Sequence, residues 1–154
     1  MSFFRGINRE AVERLGLNMI ELPPGVGPHD GKELSLMLAG RKPLAMFYDT
    51  VPEIGVIPRH EFQSYVTVGR IVSREVTFLP TATGGVPVRF VFYGQPWAPE
   101  GMAKLQEIHR RIHDGSLAGS DDVDTQVGRL LGYTDHDIGV YLAWRYQVLS
   151  QILK

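Results

Sequence analysis

VGRIVSREVTFLPTATGGVPVRFVFYG, residues Val68 to Gly94, decides the fold class. It divides into two extended runs, Gly69 to Leu79 and Val86 to Gly94, joined by Pro80-Thr81-Ala82-Thr83-Gly84-Gly85. In the second run Val86, Val88, Phe90 and Phe92 alternate with Pro87, Arg89, Val91 and Tyr93. A period of two sends these sets to opposite faces, so the run predicts a strand with one face on a core. The first run alternates less cleanly, because Val72, Val76 and Phe78 share their face with Arg74. Together the runs predict a β-hairpin at the centre of the chain.

Outward from the hairpin the pattern is helical. Upstream, Pro58 suits the first position of a helix running from Arg59 to about Val68, which packs Phe62, Tyr65 and Val66. Before it, Pro43-Leu44-Ala45-Met46-Phe47-Tyr48 is apolar throughout and short, which predicts a strand covered on both faces and central in the sheet. Asp49 falls just past its end. Asp30, with Glu33 three residues on, predicts a capped helix over 31–39 closed by Gly40, with Arg41 and Lys42 after its last turn. A short helix, Arg9 to Leu15, and a short strand, Asn18 to Leu22, open the chain.

Downstream, Pro99 and Glu100 suit a first turn, and Met102, Leu105, Ile108 and Ile112 form a stripe at spacings of three and four. A helix from Asp121 to Leu131 stops at Gly132. Thr134 caps the last helix, which carries Asp135 and Asp137 in its first turn and buries Ile138, Tyr141, Leu142, Leu149 and Ile152. The reading is one α+β domain over 1–154: a small mixed or antiparallel sheet with helices packed on it, and a helical C-terminal portion over 98–154.

Bulk properties narrow the function. With 154 residues the chain can bury a core without staples. A net charge of −1 supplies no field for nucleic acid or an anionic membrane. The absence of cysteine removes disulfides, thiolate nucleophiles and cysteine-based zinc sites. No apolar run approaches the roughly 18 residues of a membrane span, and the N-terminus lacks the pattern of a signal peptide, so the expected location is cytoplasmic. No phosphate loop, dinucleotide fingerprint or Gly-x-Ser-x-Gly elbow is present, and no cofactor is expected.

Six residues remain as ligand-binding candidates. His109 and His113 are four apart, which places both imidazoles on one helix face where they could share a metal; the zinc-protease pattern is absent, because Arg110 stands where its Glu would be. The bland alternative makes His109 a core histidine within the apolar stripe. Asp49 with Tyr48 could bind a polar ligand at a strand end, or Asp49 could organise the turn that follows. Tyr93 and Trp97 could line an aromatic pocket, or Tyr93 could pack beneath a C-terminal helix. Residues Val127 to Ala143 have the length of a helix-turn-helix, but Asp135-His136-Asp137 would repel phosphates, so an αα-hairpin is the better reading. By elimination the expected function is a non-enzymatic module binding a protein partner, another copy of itself or a small ligand. The rival is a metal-dependent hydrolase using His109 and His113, with Asp49 or Asp137 as a further ligand or base, and DNA binding is the third reading.

Overall fold

The computed structural model describes residues 25–79 and 86–152. The expected helix Arg9 to Leu15, the strand Asn18 to Leu22 and the hairpin loop, residues 80–85, lie outside the described residues. The elements are α1 (Glu33–Leu38), β1 (Leu44–Thr50), α2 (Arg59–Thr67), β2 (Val72–Phe78), β3 (Val88–Gly94), α3 (Pro99–His113), α4 (Asp121–Leu130) and α5 (Asp135–Ile152). No helix among the described residues is long and apolar enough to cross a membrane.

The fold is α+β, with a three-stranded antiparallel sheet in the order β1-β3-β2. The hairpin forms in the register its alternation requires: Val76 stands opposite Phe90, and Arg74 opposite Phe92. On the other side of β3, Tyr48 stands opposite Phe90 and Met46 opposite Phe92. β3 is therefore the central strand, and β1 lies beside it at an edge of the described sheet, not at its centre. Residues 44–48 of β1 are nonetheless apolar throughout because helices cover both faces. Leu44, Met46, Phe90 and Phe92 join Met102, Leu105, Val123, Val127, Ile138 and Tyr141 in one core cluster beneath α3, α4 and α5. Ala45, Phe47, Val91 and Tyr93 join Met37, Ile57, Phe62 and Ile71 in a second, beneath α1 and α2. β2 is much more exposed than either neighbour.

Helix ends follow local chemistry. The Ser120 hydroxyl accepts from the Val123 amide at 3.2 Å and starts α4. Thr134 and Asp137 cap α5 reciprocally: the Asp137 amide donates to the Thr134 hydroxyl, and the Thr134 amide to the Asp137 carboxylate, each at 3.1 Å. Asp30 does not cap α1. That helix begins at Glu33 after Lys32, with no side-chain cap, because 25–32 is spent in successive turns in which the Asp30 amide bonds the Gly27 carbonyl. Leu149, expected in the core, is exposed on α5.

Candidate functional site

Five of the six candidate residues divide between the two faces of the sheet, and Trp97 joins neither. Successive residues of a strand point oppositely, so Tyr48 and Asp49 do not converge. Tyr48 lies on the face of α3 to α5, its ring 5.1 Å from that of Phe90. Asp49 belongs to β1 itself, paired with Arg89, and is buried. Its Oδ1 accepts from the Thr50 amide at 2.8 Å, and its Oδ2 accepts from Ile54, Gly55 and Val56 at 3.1, 3.0 and 2.9 Å. Burial alone would raise its pKa, but the four amide donors outweigh it and hold the carboxyl below its ordinary value. Both oxygens are occupied by the backbone of the following loop, so Asp49 organises that loop.

His109 and His113 share one face of α3, as their spacing requires. The His113 ring stacks on Phe78 at 4.3 Å, and His109 lies 4.9 Å from Phe90. Burial, reinforced by His113, pushes the His109 pKa down to about 4, and burial also lowers that of His113. His109 Nε2 is buried without a hydrogen-bond partner. Among the described residues no group of three or more His, Asp or Glu side chains could hold a metal ion. Asp49 is on the opposite face of the sheet, and Asp137 is engaged in the α5 cap.

Tyr93 does not lie under a C-terminal helix. It faces the other way, stacked on Phe62 of α2 at 4.0 Å with Phe47 edge-on at 5.9 Å. Trp97, just beyond β3, is 65% exposed and takes no part in either core cluster. Near Tyr93 the surface is closed by ion pairs: Arg59 bonds Glu53 at 2.6 Å and also Glu75, and Arg89 reaches Glu53 at 3.4 Å. These tie α2, the loop before it and both hairpin strands together.

One cluster escaped the sequence reading. Lys42 is 1% exposed, the most complete burial of any charged residue in the described structure. Its Nζ donates to the carbonyl of Leu131, the C-cap of α4, at 2.5 Å, contacts His29 Nδ1 at 2.9 Å and lies 4.7 Å from the centre of the Tyr133 ring. The cation does complement a helix dipole, but that of α4, not of the helix preceding it in sequence. His29 stacks on Tyr133 at 4.0 Å. Burial pushes Lys42 down to about 7 against the attraction of Glu33 and Asp30. Burial, then Lys42, pushes His29 down to about 4. Gly132 permits the approach: its φ is +85°, and a Cβ there would sit 2.7 Å from Pro43 Cδ. The sequence signal was a lysine directly before an all-apolar strand, a place where its stem must enter the core.

An open concave surface lies elsewhere among the described residues. A groove of about 660 Å³ runs between α3 and α4, lined by Ala103, Lys104, Glu107, Ile108, Gln126, Arg129 and Leu130. Its lining combines apolar with charged side chains. The αα packing that forms it follows from two amphipathic helices whose inner stripes, Met102 and Leu105 on α3, Val123 and Val127 on α4, are buried. Comparisons of the chain with protein-family models, with curated proteins and with solved structures found no match.

Proposed function

We propose that the chain is a non-enzymatic binding module that docks a protein partner in the groove between α3 and α4. The groove carries this reading. It is a concave surface where apolar side chains, Ala103, Ile108 and Leu130, line the same groove as Lys104, Glu107 and Arg129, and apolar contacts with polar neighbours are the usual anatomy of a docking site. The candidate chemistry, by contrast, is absorbed by the fold. Asp49 is saturated by its own loop, and Tyr93 and His113 are packed against rings. The test is Ala103→Arg, which fills the groove with a charge from an exposed helix position. A partner, or a second copy of the chain, retained by the wild type and lost by this variant at unchanged thermal stability supports the reading. Equal retention by both proteins rejects it.

One observation favours a second reading, a metal-dependent hydrolase: the Nε2 of His109 is buried without a partner beside His113. A thermal-shift titration of metal-stripped protein with Zn²⁺, Mn²⁺ and Mg²⁺ decides it. A metal binding only the folded state at a hundred times its dissociation constant stabilises by about 2.7 kcal/mol. A shift that disappears in His113→Ala supports the hydrolase, and no shift with any metal ends it.

A further inference from the structure

We propose that residues 25–32 form a strap over Lys42 that opens on proton uptake by the His29–Lys42 pair. The strap is a chain of turns rather than a regular element. Gly25, Gly27 and Gly31 have φ of 87°, 62° and 72°, values that leave few residues but glycine at ease. Among the described residues, three contacts help to hold it against the core. Val26 is buried in the core cluster beneath α3, α4 and α5. The His29 ring stacks on Tyr133. His29 Nδ1 meets Lys42 Nζ at 2.9 Å.

The last contact needs a lone pair on one of the two nitrogens, and which of them donates depends on the His29 tautomer. It holds while at least one base is neutral; protons on both would set two cations against each other where Lys42 is buried. The remaining neighbours do not remove this conflict. Asp30 on the strap and Glu33 on α1 favour charge on Lys42, and Asp137 at the start of α5 favours charge on His29. Arg41 and Lys42 oppose charge on His29, and the Leu131 carbonyl of α4 and the Tyr133 ring attract the ammonium. Burial is the largest influence on both bases and disfavours both charges.

Opening the strap returns both groups to water, where each takes up its proton readily. The two uptakes act in the same direction, so acid favours opening. With Lys42 passing from about 7 to its ordinary 10.5, and His29 from about 4 to 6.5, the open fraction rises roughly tenfold or more between pH 8 and pH 6.

Amide hydrogen exchange, corrected for the intrinsic pH dependence, reads this directly. The reporters are the amides of Asp30 and Lys32, which donate to the Gly27 and His29 carbonyls; those of Val91 and Phe92 in β3 serve as the reference. In the wild type, protection of the strap amides falls by roughly tenfold or more from pH 8 to pH 6 while the reference amides hold. His29→Gln keeps an acceptor but cannot titrate, and its slope is shallower. Lys42→Met abolishes most of the remainder. If Lys42→Met does not fold, the wild type and His29→Gln decide the matter between them. Strap protection that ignores pH, a slope unchanged by His29→Gln, or loss of protection in β3 together with the strap would each overturn the proposal.

Discussion

At the scale of single residues, His109 shows how a reactive side chain becomes part of a core. Its stripe on α3 was legible from spacing, and so was its shared face with His113. What it touches was not, because Phe90 and Phe92 come from a strand whose approach no local pattern encodes. In the fold the ring is held neutral. Its pKa is pushed down to about 4 by burial and by His113, against 6.5 when free. The folded-state value is the lower one, so His109 contributes stability that is complete above pH 6.5 and lost as pH falls through 4. The difference is on the order of 3 kcal/mol. His109→Leu removes both the titration and the unpartnered Nε2. At pH 7 the variant is within about 1 kcal/mol of the wild type, since the lost ring contacts are offset by the removal of an unsatisfied polar atom. Near pH 4.5 it is the more stable of the two. Urea midpoints at the two pH values measure this, and a variant that loses stability equally at both would assign the ring a packing role alone. The same scale explains why Lys42 went unread. A sequence places a lysine after a helix, but the carbonyl that receives it belongs to Leu131, far along the chain.

At the scale of elements, periodicity reported faces faithfully and neighbours poorly. The hairpin, the α3 stripe and the Thr134 cap were all present in spacing alone. The apolar run of β1 correctly implied two covered faces, but a central position does not follow from it. A strand at the edge of a sheet is apolar throughout whenever helices lie on both sides, and here β3 occupies the middle. The start of α1 was misplaced for a related reason: Asp30 has the chemistry of a cap, but the glycines around it allow turns that consume the backbone first. Where elements meet, the decisive residue is Gly132. It ends α4 in a left-handed conformation and lets Pro43 and Lys42 pass close by. Gly132→Ala meets both obstacles, a φ of +85° and a contact of 2.7 Å to Pro43 Cδ. It destabilises by about 1–3 kcal/mol, from the backbone conformation and the overpacking together. Ala at Gly40, where φ is +71° but nothing lies within 4 Å of an added Cβ, costs less. The difference between the two variants in denaturant midpoint isolates the packing part, and equal losses would leave backbone conformation as the whole cause.

Across the described molecule, helices cover both faces of β1 and β3 and leave β2 the exposed part of the sheet. The α+β class was legible, because local patterns add up to a class. That β1 has two covered faces was legible too, in its apolar run; which elements supply the second cover was not, since α1 and α2 reach it by folding back over β1 and β3. Covering both faces buries bases and phenols together, and this shapes stability against pH. His29, His109 and His113 all have lowered pKa values in the fold, so each adds stability above its free value near 6.5 that is lost on acidification. Lys42, lowered to about 7 from 10.5, adds stability as pH rises between those values. Tyr93, Tyr133 and Tyr141 are shifted up, the last to about 12, so their contribution is present below pH 10 and lost above it. These three histidines and Lys42 therefore favour the alkaline side of neutrality, and the three phenols set a limit above it. Thermal midpoints recorded from pH 4 to pH 11 should climb through neutrality, peak at about pH 8–10 and then decline. The sequence pI of about 6.5 gives no hint of this, because it counts charges and ignores which of them the fold opposes. A profile that peaks near pH 6.5 would mean that Lys42 and the histidines reach water in the folded protein, and that the core around them is looser than their contacts imply.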